Sequence, residues 1–191
     1  MKKLLSTVML LMMLLASTAW AKSDETAAQQ RAEIRNMSAQ TLERLYEKQP
    51  NARRVIKNCY AYATLSNSGV KVLFVGNARG RGLAINNQTG EEVFMKMREM
   101  SGGIGIGAKE YDLIFVFADK EAWDSFIAGK TRFGGSAEAS ANDGVSGGSI
   151  EGADIAAKGT WVYQMTTKGL TLEATLKGTK VYKDKKLNKI D

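Results

Sequence analysis

At Cys59 the spacing of apolar residues switches from a helical period to a two-residue period, and no other feature constrains the fold as much. From Asp24 to Lys48, Ala27, Ile34, Met37, Leu42 and Leu45 recur at spacings that place them on one helix face. Arg31 and Arg35 stand four apart beside that face, so two like charges are neighbours unless Glu33 or an anion relieves them. Pro50 ends this helix, and a second is predicted from Asn51 to Asn58. There Ala52, Val55, Ile56 and Cys59 share one face while Arg53, Arg54 and Lys57 share the other, which points Cys59 inward.

Beyond Cys59 the segments Tyr60–Leu65, Val70–Val75, Gly82–Asn86 and Glu92–Met97 read as short strands. Asn67-Ser68-Gly69, Gly76-Asn77 and Gln88-Thr89-Gly90 supply turn chemistry between them. Tyr111–Ala118 is a continuous apolar strand. Asp119 then caps a helix, Lys120–Ala128, with Trp123, Phe126 and Ile127 facing inward and Gly129 ending it. A glycine, serine and alanine stretch runs from Gly134 to Gly148, read as thin strands or a loop. Thr160–Thr166, Leu170–Leu176 and Thr179–Tyr182 return to strand character, joined at Lys168-Gly169 and Lys177-Gly178. Most connections are too short for parallel crossovers. The expected class is α+β: an antiparallel, barrel-like sheet of about nine short strands with N-terminal helices and one inserted helix.

The N-terminus bears on location. Lys2 and Lys3, an apolar run from Leu4 to Ala16, and the small-residue ending Ser17-Thr18-Ala19-Trp20-Ala21 have the layout of a secretory signal peptide cleaved after Ala21. The apolar run is shorter than the ~20 residues of a membrane span. Residues 22–191 are then expected as a single periplasmic or secreted domain, with 22–50 its amphipathic N-terminal helix and 177–191 a basic C-terminal segment. Cys59 is the only cysteine, read as a buried thiol rather than half of a disulfide. Histidine is absent, which removes the commonest general base, the usual zinc ligand and the standard Ser-His-Asp and Cys-His arrangements.

The formal net charge is +7, and Lys177, Lys180, Lys183, Lys185, Lys186 and Lys189 crowd the end of the chain against Asp184 and Asp191. Such a surface either solvates the domain or engages an anionic partner. In an envelope compartment that partner would be anionic phospholipid or lipopolysaccharide, not nucleic acid.

The run Ser101-Gly102-Gly103-Ile104-Gly105-Ile106-Gly107-Ala108-Lys109 lacks the lysine and hydroxyl of a phosphate loop, because Ala108-Lys109-Glu110 stands in their place. As a strand it would line Gly103, Gly105 and Gly107 along one face, open to close approach. This run leads into Tyr111-Asp112-Leu113-Ile114-Phe115-Val116-Phe117. Earlier stand Val55-Ile56-Lys57, Tyr60-Ala61-Tyr62-Ala63 and Gly80-Arg81-Gly82. Later come Tyr163, Lys168-Gly169-Leu170, Leu176-Lys177-Gly178 and Asn188. Together, from about Leu42 to Asn188, these resemble the SYLF lipid-binding domain, also known from fungal actin-patch proteins.

The resemblance implies an α+β fold and binding to anionic phospholipid, including phosphoinositides in eukaryotic members. In those members an N-terminal amphipathic helix and basic residues meet the membrane, and some bind actin. The chain departs where the family often has tryptophan-serine-proline (here Glu92-Val93-Phe94-Met95-Lys96) and Gly-Pro-x-Gly (here Asn142-Asp143-Gly144). Only a general affinity for anionic lipid transfers.

The leading expectation is therefore a non-enzymatic envelope protein in peripheral contact with anionic phospholipid or lipopolysaccharide. Its lipid-binding residues are expected to be Arg31, Arg35, Arg53, Arg54, Lys57, Lys183, Lys185 and Lys186. The alternatives are a periplasmic structural domain with an envelope protein partner, and a carrier with an apolar pocket for a lipid tail. A hydrolase would have to use Asp112, Asp119 or Asp143, and nothing in the spacing sets two carboxylates beside a nucleophile. No cofactor and no metal are expected.

Overall fold

The structure is a computed structural model, and it describes residues 26–72, 75–102, 107–131, 133, 150–151, 153–166, 169–171 and 179–189. The expected leader, residues 103–106 of the glycine-rich run and the stretch 134–149 lie outside the described residues, as do 167–168 and 172–178.

Helix α1 covers residues 26–48 and α2 covers Asn51–Asn58. The strands are β1 (Ala61–Val72), β2 (Val75–Asn86), β3 (Glu92–Gly102) and β4 (Gly107–Phe117). After α3 (Lys120–Ile127) come β5 (Asp154–Ala157), β6 (Thr160–Thr166), β7 (Gly169–Thr171) and β8 (Thr179–Lys183). They form one eight-stranded sheet in the order β5-β6-β4-β1-β2-β3-β8, with β7 pairing β6. Each of these pairings is antiparallel.

The mixed helix and antiparallel-sheet class agrees with the sequence, but the strands are longer than expected. Asn67-Ser68-Gly69 and Gly76-Asn77 are not turns; they lie within β1 and β2, with Asn67 opposite Gly80 and Gly69 opposite Ala78. β1 is paired on both sides, so an unbroken ladder outweighs local turn preference. Eight strands, not nine, are present among the described residues.

Two-residue alternation sorts the side chains between the faces. Ala61, Ala63 and Leu65 of β1, Val93, Met95 and Met97 of β3, and Leu113, Phe115 and Phe117 of β4 face inward, where Trp123 and Phe126 of α3 pack on them. Phe126 lies 4.7 Å from Phe117 and 5.1 Å from Phe115, between ring centroids. α3 touches both β4 and β8, four places apart in the sheet order, so the sheet curls around it. Asp119 caps α3 by accepting from the Ala122 amide at 2.9 Å, and Gly129 ends it at φ 68°, as expected.

On the outer face α1 crosses the sheet. Its first half sets Ala27 and Ile34 against Leu83, Phe94 and Leu187, and its second sets Leu45, with Ala52 and Ile56 of α2, against Ile114, Val116, Trp161 and Tyr163. The buried stripe also includes Ser38 and Thr41, whose small size lets the helix approach the sheet. The Thr64 hydroxyl donates to Ser38 Oγ at 2.6 Å, so the polar contact is satisfied.

Cys59 follows α2 and is half-buried, with Sγ 3.2 Å from the carbonyl oxygens of both Ile56 and Ala61. Burial pushes the thiol up to about 11, although hydrogen bonds from the backbone at Cys59 and Ala61 and from the Asn87 side-chain amide partly offset it. Against an ordinary thiol the reactive thiolate is roughly a hundredfold scarcer at neutral pH. A water-soluble maleimide should therefore label native Cys59 slowly and denatured protein within minutes, followed by intact mass; equal rates would contradict this packing.

Candidate functional site

Residues that alternate inward along β2, β3 and β8 leave their neighbours on the outer face, and these neighbours are cations. Antiparallel register sets Arg79 of β2 opposite Arg98 of β3, and Arg98 opposite Lys180 of β8. Two residues along, Arg81 faces Lys96 and Lys96 faces Tyr182. The five cations are exposed and Tyr182 is half-buried. Neighbouring strands are only ~4.8 Å apart, and like charges directly opposite one another destabilise a sheet.

The second row is neutralised. Arg81 pairs with Glu33 of α1 at 3.3 Å and Lys96 with Asp184 at 2.9 Å. In the first row, Arg79, Arg98 and Lys180 have no ion-pair partner among the described residues.

Lys183, at the end of β8, and Lys185 and Lys186, on the turn at residues 184–188, line the same groove. The result is an open groove of about 600 Å³ lined by Arg79, Arg81, Lys96, Arg98 and the three lysines, with Asp184 as its acid. The turn is firmly anchored. Leu187 is buried, and the Asn188 side chain accepts from the Phe94 amide at 2.9 Å and donates to the Phe94 carbonyl at 2.7 Å.

Asp184 organises this corner. It accepts from the amides of Lys186 at 2.9 Å and Leu187 at 3.3 Å, besides pairing with Lys96. Burial alone would raise its carboxyl, but Lys96 and the two amides outweigh burial and hold it below the usual range. A lowered folded-state value stabilises the fold above the unfolded value of ~3.9, and the contribution disappears as pH falls through the folded value. Asp184→Asn should cost about 2 kcal/mol at pH 7, the size of hydrogen bonds to a charged group. In urea titrations the variant and parent should converge once the pH is well below ~4; a constant difference would mean that the charge is not what matters.

The residues singled out in the sequence fall into three groups. Lys183, Lys185 and Lys186 line the groove. Arg31 and Arg35 clip α1 in place. Arg31 donates to the carbonyls of Leu187 at 2.9 Å and Lys189 at 3.0 Å, while Arg35 pairs with Glu92 at 2.7 Å and lies 5.2 Å over the Phe94 ring. They also edge a second, adjacent groove that shares Lys183.

Arg53, Arg54 and Lys57 are exposed on α2, which packs nearer β4 and β6 than the basic groove. Arg53 is engaged, 3.2 Å from Glu43 and 4.2 Å over the Tyr46 ring. The groove residues Arg79, Arg81, Lys96 and Arg98, and Lys180 beside Arg98, were not among the expected lipid-binding residues. Their signal is the alternation Arg79-Gly80-Arg81 and Lys96-Met97-Arg98, cations on one face of a strand.

The carboxylates weighed for catalysis have structural work. Asp112 pairs with Arg44 at 2.6 Å, Asp119 caps α3, and Asp143 lies outside the described residues. Among the described residues no three His, Cys, Asp or Glu side chains are grouped to hold a metal ion. Among the same residues no helix is long and apolar enough to cross a membrane.

Among the described residues, a curled antiparallel sheet holding one helix inside and two outside, with a cationic outer face, defines the class of domain. Residues 98–190 match the family model Ysc84, described as "Las17-binding protein actin regulator". The chain is also 34% identical over 166 residues to a protein named Beta cell expansion factor A from Aeromonas veronii, an alignment covering 85% of this chain. It spans 60% of the length of that relative. The segment 98–190 thus matches the Ysc84, or SYLF, family, the one its motifs suggested.

Proposed function

We propose that this protein is a non-enzymatic domain that docks peripherally on anionic phospholipid of the bacterial envelope, after cleavage of its leader at Ala21. The observation that carries this reading is the outer face of β2, β3 and β8, where seven cations line one open groove against a single acid. Each Lys or Arg near an anionic surface contributes ~1 kcal/mol, so a few of them give a reversible, peripheral contact. The match to the SYLF family supports the same reading.

A docking surface is favoured over a lipid-tail carrier because the described interior is filled. Phe115, Phe117, Trp123, Phe126 and Phe133 occupy the space inside the curl that an acyl chain would need. Las17 binding, named in the family description, is not carried over, since the leader addresses this chain to the envelope.

The test is co-sedimentation with vesicles. Binding to phosphatidylglycerol vesicles should be strong at low salt and fall steeply as the screening length shrinks from ~30 Å to ~8 Å. It should vanish on phosphatidylcholine. Binding that ignores both salt and head-group charge would rule the proposal out.

A further inference from the structure

We infer that Arg79, Arg98 and Lys180 form a seat for the two phosphates of one doubly phosphorylated lipid head group, a proposal that rests on the docking reading above. All three are exposed and stand directly opposite one another on adjacent strands. Unlike Arg81 and Lys96, they have no acid partner among the described residues. Lysines on a turn can swing apart to relieve repulsion. These three cannot separate at the backbone, because the ladders on both sides of β3 fix their spacing.

Three cations in a row leave two gaps, with centres ~5 Å apart at the strand spacing. An oxyanion in each gap is flanked by two cations, so Arg98 in the middle serves both. Its guanidinium has donors enough for this, since five N–H groups in a planar fork can bond oxygens on either side. Two anionic groups this close match phosphates joined by a short linker within one lipid. A head group with one phosphate fills one gap and leaves the other pair of cations uncompensated. The site would therefore distinguish lipids by phosphate number as well as by surface charge.

The experiment uses vesicles of phosphatidylcholine doped with cardiolipin, whose two phosphates share one glycerol, or with twice the mole fraction of phosphatidylglycerol. The two surfaces then carry equal charge. The full chain should bind the cardiolipin vesicles about tenfold more tightly, the scale of one further charge-assisted contact. Arg98→Gln should bring the two affinities within about twofold of each other while binding to phosphatidylglycerol falls only about fivefold. Lys186→Gln should weaken both equally and leave the preference intact.

Thermal melting confirms folding, and Arg98→Gln should melt no lower than the parent because it relieves like-charge contacts. Should Arg98→Gln misfold, Arg79→Gln carries the same test and should also reduce the preference. Equal binding of the parent to both surfaces overturns the proposal. So does a preference that survives both substitutions, or an Arg98→Gln variant that weakens both surfaces alike. A parent that binds neither vesicle overturns the docking reading itself.

Discussion

Gly82→Ala should lower the melting temperature by roughly 6–12 °C, the largest loss of stability expected from any single change described for this protein. Gly82 sits in β2 opposite Leu65 of β1 and Met95 of β3. A Cβ there would overlap the Thr64 carbonyl oxygen and come within 2.8 Å of Leu65 Cα. Both are backbone, so no side chain can swing aside and the β1–β2 ladder itself must shift. Overpacking of this kind costs ~3 kcal/mol or more, and 1 kcal/mol moves the midpoint of a domain this size by ~2–4 °C. Gly90→Ala is the matched control. Gly90 has φ 73° and nothing within 4 Å of an added Cβ, so only backbone strain of ~1–2 kcal/mol applies. Calorimetry on both variants decides the matter, and equal shifts would mean that β1 and β2 do not approach as described.

Changing Lys183, Lys185 and Lys186 together to Gln should weaken binding to phosphatidylglycerol vesicles roughly 10²-fold at low salt, at ~1 kcal/mol for each charge. All three line one groove, Lys183 at the end of β8 and the other two on an anchored turn, so their charges act together. The same change in Arg53, Arg54 and Lys57 should cost only about tenfold, because Arg53 is already held by Glu43 and Tyr46. Circular dichroism should show both variants folded, since exposed changes of this kind usually cost under ~0.5 kcal/mol each. Unchanged binding in both would leave these basic surfaces with a solvating role only.

Local chemistry was legible in the sequence. The span of α2, the Asp119 cap, the Gly129 stop and the Gln88-Thr89-Gly90 turn all follow from neighbours a few residues apart. The same is true of the apolar run in β4, where Leu113, Ile114, Phe115, Val116 and Phe117 are all buried. What misled was also local. Turn residues at Asn67-Ser68-Gly69 and Gly76-Asn77 were absorbed into long strands once partners lay on either side. Ser38 and Thr41 were not read as buried, since a polar residue under a helix declares itself only when its partner, here Thr64 for Ser38, is in place.

By itself, then, the sequence determined the antiparallel α+β character, the helices, their caps and the excess of positive charge, since each depends on short-range spacing or composition. Only the tertiary structure decided where that charge gathers. Arg79 and Arg98 meet through a hairpin, but Lys180 joins them because β8 pairs with β3 from far along the chain. A slip of one residue in either pairing would turn those side chains to the other face. The same long-range contacts tie Arg31 and Arg35 to the C-terminal turn and to Glu92, leaving the groove to other cations. Register between distant strands is a property of the whole packed sheet, which no local pattern of residues encodes.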